Sequence, residues 1–238
     1  MARAWRIAFE GALYHVWSRG NERRDIFFGD EDRRRFLDAL GDMAQRFEMD
    51  VFAYVLMGNH YHLLLRTARA NLSRAMQWLG VTYTNRFNAK HLRSGHLFQG
   101  RFKSMLVQND AYLLQLSYYI HRNPLRAKMV ERLADYRWSS YGTYAYGQKA
   151  MGWLNTERIL SQLVNAPGRH QAYRENTQKY AKEESRADFL EPGIRPRFAA
   201  LCHLAARGSD QFTDRGDLWD ERVCGQQAHG RIEFQSCR

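Results

Sequence analysis

The 238-residue sequence predicts an α+β fold in which helices pack against an antiparallel sheet. Segments with strand and helix patterns follow one another in the order β-α-β-β-α-β-α up to residue 123, which is typical of such a fold. Gly58-Asn59 separates two of the strand-like segments, and this dipeptide is typical of a hairpin between antiparallel strands. A composition that is 45% apolar supplies enough residues for a core between the sheet and the helices.

Four segments are predicted to be strands because aromatic and β-branched residues are frequent in them and turn residues limit them. The first covers residues 12–19 and ends at Gly20-Asn21. The second and third, Val51–Met57 and His60–Arg66, flank the hairpin turn. The fourth, Phe102–Val107, follows a glycine-bounded loop.

Three helices are predicted between and after these strands. The first is predicted over 31–47, where apolar residues recur at helical spacing after Asp30, a residue that can cap a helix. The second is predicted from Asn71 to about 88 on the same spacing. Asp110 can cap a third helix. We expect this helix to end near Asn123, because Pro124 disfavours helical backbone in the residue before it.

A change in composition near residue 150 predicts a domain over 8–150 and a C-terminal extension over 151–238. Helices are predicted near 156–164 and 169–186 in this extension. Residues 188–238 contain five of the 17 glycines and two of the four prolines among scattered charges. We therefore expect a mostly helical extension that ends in an appended or partly mobile tail.

Composition excludes several classes of protein. The apolar fraction and the 26% of charged residues are typical of globular chains rather than disordered ones. No apolar run approaches the length of about 18 residues that a membrane span needs, and the N-terminal residues lack the hydrophobic stretch of a signal peptide. The three cysteines form no Cys-x-x-Cys pair, which argues against a disulfide framework. We expect a cytoplasmic protein.

The net charge of +11 is concentrated in one part of the chain. Residues 51–109 contain eight Lys or Arg and no Asp or Glu. A surface that serves only solubility usually mixes both signs, whereas a purely cationic one attracts polyanions. Nucleic acid is the commonest polyanion, and we expect it as the partner.

The sharpest local motif is His60-Tyr61-His62 at the start of the third predicted strand. Side chains two residues apart on a strand project from one face, so the two imidazoles can share one metal ion. Two histidines leave a divalent ion with open coordination positions, as a catalytic site requires. The alternative, two unrelated histidines on a half-buried strand, stays open at this point.

A second constellation lies on the helix predicted after Asp110. Tyr119 and Asn123 are one helical turn apart, so a phenol and an amide oxygen can reach the same point. Most helical tyrosines, however, are packing residues. Tyr118 is a rival to Tyr119, but Arg122 lies one turn after it, and a guanidinium cannot ligate a metal.

Four ordered motifs carry a resemblance to a known family. The His-hydrophobic-His motif at His60–His62 resembles that of the HUH single-strand endonucleases. The other motifs are Tyr14-His15-Val16-Trp17-Ser18-Arg19-Gly20-Asn21, His96-Leu97-Phe98-Gln99-Gly100-Arg101-Phe102-Lys103 and Tyr119-Ile120-His121-Arg122-Asn123-Pro124-Leu125-Arg126-Ala127. Over roughly residues 8–145 the chain resembles the IS200-type single-tyrosine transposases and, more narrowly, the REP-associated tyrosine transposases of bacteria.

The resemblance implies a ferredoxin-like or RRM-like sheet that carries the histidine pair, with the tyrosine on a helix alongside. It implies that Tyr119 attacks a single-stranded DNA phosphate, giving a 5′-phosphotyrosine link and a free 3′-OH. A second 3′-OH then reverses the step and joins strands. His60, His62 and Asn123 would be the ligands of a divalent cofactor, Mg²⁺ or Mn²⁺.

The resemblance also implies that the substrate is a short palindromic DNA hairpin with unpaired flanking bases. The candidate DNA contacts are Arg19, Asn21, Arg101, Lys103 and Arg126, together with the C-terminal extension. No nucleoside triphosphate is expected as a partner, since the chain has no phosphate-binding GxxxxGK[ST] pattern. No membrane partner is expected either. A monomer is expected, with a dimer as the alternative. Two other functions stay open: a metal nuclease that uses water, and a non-catalytic RRM-like binding module.

Overall fold

The computed structural model describes the backbone of residues 8–107, 110–163 and 168–187, and the side chains of all of these except 110–111 and 180–187. The tail predicted over 188–238 lies outside the described residues. No helix in the described part of the chain has both the length and the apolarity that crossing a membrane requires.

Four strands form a single antiparallel sheet. They are β1 (Leu13–Arg19), β2 (Met49–Leu56), β3 (His60–Thr67) and β4 (Lys103–Val107). Their order across the sheet is β2-β3-β1-β4, and every neighbouring pair is antiparallel. This is the ferredoxin-like arrangement of two interleaved β-α-β units, so the predicted fold class is confirmed, as is the hairpin at Gly58-Asn59.

Two helices cover one face of the sheet. α1 (Asp30–Arg46) and α2 (Leu72–Lys90) bury their apolar sides against alternate residues of the strands. This core includes Phe36 and Tyr83 from the helices and Val16, Tyr61 and Leu63 from the sheet, all 1% exposed or less. Burying side chains of this size supplies most of the favourable free energy of folding.

Asp30 does not cap α1, in contrast to the prediction, because the helix already includes it and Gly29 precedes it. Asp32, in the first turn of the helix, instead reaches back, and its carboxylate accepts a hydrogen bond from the backbone N–H of Phe28 at 2.9 Å. The same carboxylate accepts from Lys90 Nζ at 2.8 Å and lies 3.0 Å from His91 Nε2. One buried acid therefore joins the start of α1 to the end of α2.

The third helix, α3 (Asp110–Arg126), continues three residues beyond its predicted end and contains Pro124. Proline cannot donate the hydrogen bond that the Ile120 carbonyl would receive in a regular helix. Asn123 Nδ2 supplies a replacement, because it lies 3.1 Å from the Ile120 oxygen and 3.0 Å from the Tyr119 oxygen. A side-chain amide thus repairs the gap, and the helix continues through the proline.

In the described residues after α3, three more α-helices follow: α4 (Tyr141–Tyr146), α5 (Glu157–Leu160) and α6 (Arg169–Ala187). Tyr173 of α6 is fully buried and donates a hydrogen bond to Ser117 Oγ at 2.8 Å. Its oxygen lies 2.8 Å from His121 Nδ1, and Ser140 Oγ lies 2.6 Å from His121 Nε2. Burial lowers the pKa of His121 to about 3, so at pH 7 a neutral His121 ring links Tyr173 of α6 to Ser140.

These contacts bear on the domain boundary at residue 150. The compact unit that contains the sheet extends to Arg186. α6 is therefore part of the same unit as residues 8–150, and it braces the side of α3 that faces away from the sheet.

Candidate active site

Two neighbouring strands place a cluster of aromatic and basic side chains on the sheet face that α3 covers. In the β1–β3 pair, Trp17 lies opposite His62 and Arg19 lies opposite His60. His15 shares their face because it is two residues before Trp17. The ring centroids of His60 and His62 are 5.2 Å apart, so the two imidazoles are close neighbours.

Each imidazole of this pair uses Nδ1 in a hydrogen bond within the protein. His60 Nδ1 lies 2.7 Å from Asn59 Oδ1, and Asn59 is itself oriented by donating from Nδ2 to the Arg23 carbonyl at 2.9 Å. His62 Nδ1 lies 2.9 Å from His15 Nε2. Nε2 of each ring is therefore the nitrogen that can bind a metal ion.

The electrostatics of the cluster keep these rings neutral at pH 7. Burial lowers the pKa of His60 to about 4, and the positive charge of Arg19 adds to the effect. Burial also holds the pKa of His62 well below its usual value, with smaller contributions from His15, His60 and Arg126. Metal ions bind the neutral form of imidazole, so neither ring has to lose the charge of an imidazolium at this pH.

Tyr119 of α3 faces the same cluster. Its ring is edge-on to His15 and His62, with centroid distances of 6.1 Å and 6.3 Å, and its side chain is 1% exposed. The Arg126 guanidinium lies 5.1 Å from the centre of the ring. The predicted nucleophile and the predicted metal ligands are therefore brought together.

Asn123 lies one turn after Tyr119, and its amide group has a defined orientation. Its Nδ2 is committed to the backbone of α3 next to Pro124, as described above. Oδ1 is then the atom of the amide that can ligate a metal.

Tyr118 has different surroundings from its neighbour. Its ring packs against Tyr173 of α6 at a centroid distance of 4.9 Å. Burial raises the pKa of its phenol, and a hydrogen bond with Asn176 partly opposes this. Tyr118 therefore faces the brace rather than the histidines, which separates the two candidate nucleophiles.

Comparisons with known proteins identify the family. The family model described as "Transposase IS200 like" matches residues 8–123, which include both histidines, Tyr119 and Asn123. Over these residues the chain belongs to the family of IS200-like transposases. Membership of this family makes it a DNA-processing enzyme.

One solved structure agrees with this assignment at the level of the fold. A REP-associated tyrosine transposase bound to a REP hairpin is 17% identical to this transposase, with a TM-score of 0.54 over 65% of this chain and 92% of that one. A protein provisionally described as a transposase from Deinococcus radiodurans R1 is 21% identical over 51% of this chain and 95% of its own, with a TM-score of 0.37. No curated protein sequence matches this chain significantly.

The donor set of the transposase fits a weakly held divalent ion. Among the described residues, no group of three or more His, Cys, Asp or Glu side chains is arranged to hold a metal. The available ligands are two neutral imidazoles and one amide oxygen, so water and substrate phosphate would complete the coordination. Such a site fits an ion that binds together with DNA.

The candidate DNA contacts fall in two places. Arg19, next to His60, donates to Gln99 Oε1 at 3.1 Å, and Arg126 lies over Tyr119, so both flank the cluster. Lys103 is exposed on β4 opposite Trp17. Asn21 is exposed, and its backbone N–H donates to the Leu97 carbonyl at 2.9 Å. Arg101, in contrast, lines a cavity of about 610 Å³ on the α2 side of the sheet.

His15 and Asn59 are the site residues that sequence reasoning missed. The signal for His15 was present, since the alternation of strand 12–19 puts it on one face with Trp17 and Arg19. Its contact with His62, however, depends on the register between β1 and β3, which the sequence does not specify. For Asn59 the sequence predicts only a place in the hairpin turn.

Proposed function

We propose that this transposase cuts and rejoins single-stranded DNA through a covalent link between Tyr119 and a 5′ phosphate. The observation that carries the proposal is the position of the Tyr119 ring, edge-on to His62 and beneath the Arg126 guanidinium. A phenol, a pair of neutral imidazoles and a fixed cation in one cluster are what in-line phosphoryl transfer by a tyrosine needs.

In the first step Tyr119 Oη forms a bond to phosphorus as the bond from phosphorus to the 3′ oxygen breaks. The phenolic proton is lost, and the leaving 3′ oxygen gains a proton. Arg126 and Arg19 flank the cluster and would bind the phosphate and stabilise the charge that builds on its oxygens.

His60 and His62, through Nε2, and Asn123, through Oδ1, would hold the Mg²⁺ or Mn²⁺ ion. When bound, this ion supplies polarisation of a non-bridging phosphate oxygen. Trp17 packs against His62, and Asn59 holds His60, so the ligands do not have to reorganise when DNA arrives.

The second step is the reverse of the first, with another 3′-OH as the attacking group. One phosphodiester replaces another, so the exchange is close to isoenergetic and requires no nucleoside triphosphate. The cleaved strand stays attached to the protein until this step, which favours strand transfer over release.

The proposed substrate is a DNA hairpin with unpaired flanking bases. The solved transposase of the same fold is described as bound to a REP hairpin, and the acid-free segment 51–109 here supplies cations for such a partner. Arg19, Asn21, Arg101, Lys103 and Arg126 would contact the DNA. We assign residues 8–150 the chemistry and keep the extension after 150 as a further DNA contact. A monomer of the REP-associated type, working in the bacterial cytoplasm where such DNA lies, completes the proposal.

The test is a covalent adduct. Single-stranded hairpin DNA from beside the gene, labelled at its 3′ end, is incubated with the protein and Mg²⁺ or Mn²⁺ and separated on a denaturing gel. We expect a band at the mass of protein plus the 3′ fragment, which is absent with EDTA or with fully duplex DNA. Cleavage without an adduct would show a nuclease that uses water, and binding without cleavage would show a non-catalytic module.

A further inference from the structure

We propose that His15 is a positioning residue that fixes the metal-binding tautomer of His62. It would do so by accepting a hydrogen bond from the Nδ1–H of His62. This inference rests on the proposed metal-dependent function, because it concerns which nitrogen of His62 is left to bind the ion.

The contact between the two rings is short and shielded from water. His15 Nε2 and His62 Nδ1 are 2.9 Å apart, and the two side chains are 2% and 5% exposed. The ring planes differ by 21°, with centroids 5.1 Å apart. A hydrogen bond in such surroundings is not exchanged for one to water, so it controls where the proton resides.

Neutral imidazole carries one proton, so the pair has two arrangements. If His62 donates from Nδ1, its Nε2 has a lone pair and can bind a metal. If His15 donates from Nε2, the proton of His62 is on its own Nε2, and metal binding there is blocked. The direction of one hydrogen bond therefore decides whether His62 is a ligand.

The other histidine of the pair indicates which direction is used. The partner of His60 Nδ1 is Asn59 Oδ1, and an amide oxygen can only accept. His60 is thus held with a free lone pair on Nε2. A shared ion requires the same tautomer of both rings, and His15 stands at the corresponding position next to His62.

The surroundings of His15 hold its ring but leave its proton free to move. Its ring lies 4.9 Å from Trp17 and 6.1 Å from Tyr119, centroid to centroid, and both contacts restrict rotation. Within the described residues its Nδ1 has no hydrogen-bond partner. No other group therefore fixes the protonation site of His15: as the acceptor it carries an unpartnered N–H at Nδ1, and as the donor an unpartnered lone pair there. The direction of the hydrogen bond rests on the matching requirement of His60 and His62 alone.

The first test reads the tautomer directly in the metal-free full-length protein. Long-range ¹H–¹⁵N NMR spectra of ¹⁵N-histidine-labelled protein distinguish a protonated nitrogen from a bare one, and His62→Ala assigns the signal. We expect His62 with the proton on Nδ1 and His15 with the proton on its own Nδ1. A proton on His62 Nε2 would overturn the proposal without any variant of His15.

The second test measures Mn²⁺ affinity by electron paramagnetic resonance. His15→Phe keeps a ring of similar size but removes the acceptor, and we expect the affinity to fall about 10- to 100-fold, as is typical for the loss of such a partner. His15→Gln keeps an acceptor oxygen and should recover most of this loss. Thermal unfolding and circular dichroism of both variants check that the fold is intact.

The outcomes separate this proposal from the proposed function. Unchanged affinity in His15→Phe overturns the positioning role, and higher affinity would mean that His15 donates to His62 in the native protein. If the wild type fails to bind Mn²⁺, or if His62→Ala binds it equally well, the metal-dependent function fails instead. In that case the NMR result still decides the direction of the hydrogen bond.

Discussion

The two faces of the sheet are built from alternate residues of the same strands, yet they differ in every property that matters for function. Val16, Tyr61 and Leu63 face α1 and α2 and belong to an apolar core. His15 and His62 face α3 and are buried with nitrogen atoms in hydrogen bonds. The comparison teaches that one face supplies the stability and the other uses the rigid backbone to hold reactive groups in place.

The largest effect, loss of the covalent adduct, should come from a substitution in α3. Tyr119→Phe should abolish the covalent adduct while hairpin binding survives, because only the nucleophilic oxygen is removed. Tyr118→Phe is the matched control and should retain the adduct, since Tyr118 packs against Tyr173. An adduct that is lost in Tyr118→Phe and kept in Tyr119→Phe would move the nucleophile to the brace side and overturn the site. The denaturing gel measures both.

The next effect concerns the histidine pair on the sheet. His60→Ala or His62→Ala should abolish cleavage and leave hairpin binding largely intact, because the metal ligands serve the chemistry and the arginines and lysines serve the affinity. Gel-shift and cleavage assays on the same DNA separate the two. If a variant loses both cleavage and hairpin binding while its thermal unfolding matches that of the wild type, the histidines serve binding as well as chemistry.

A substitution on the sheet face that α1 and α2 cover should lower the stability of the protein and leave its chemistry intact. Leu63→Ala leaves a cavity in the core, and the free energy of unfolding should fall by about 2–5 kcal/mol. Chemical denaturation measures this loss. At a temperature where the variant is still folded, Mn²⁺ binding and adduct formation should persist. A variant that is folded but inactive would show that the two faces are coupled more tightly than their separation suggests.

The smallest expected effect is on the salt dependence of hairpin affinity, which tests on which face of the sheet the DNA lies. Arg126 is next to Tyr119, whereas Arg101 lines the cavity on the α2 side. Hairpin affinity should fall with salt, and each Arg→Ala substitution that removes a phosphate contact should reduce the slope of log affinity against log salt by about 0.7–0.9. If Arg126→Ala changes the slope and Arg101→Ala does not, the DNA is confined to the α3 face.

Local patterns in the sequence were sufficient for the strands, the hairpin and the first two helices, because alternation, helical spacing and turn residues act over a few positions. The proximity of His60 to His62 could be predicted for the same reason. The end of α3 could not, since the rule that Pro124 ends a helix assumes an unsatisfied carbonyl at Ile120, and the Asn123 side chain satisfies it.

Contacts between distant segments were beyond such patterns. The contact of His15 with His62 requires the β1–β3 register, and Tyr173 contacts residues more than 50 positions earlier. The weak periodicity of segment 169–186 predicts a helix but not the surface on which it packs. Composition gives no sign of these contacts, which join residues up to Arg186 to the unit that contains the sheet.

The brace formed by α6 has a consequence for anyone who trims or recombines this protein. The stretch that the family model matches ends at residue 123, but the outward side of the tyrosine-bearing helix is covered by Tyr173 and Asn176 of α6. A fragment cut at 123 or at 150 would expose the buried His121 and Tyr118 to water. The smallest portable version of the catalytic unit therefore has to reach Arg186, and domain fusions are better joined after it.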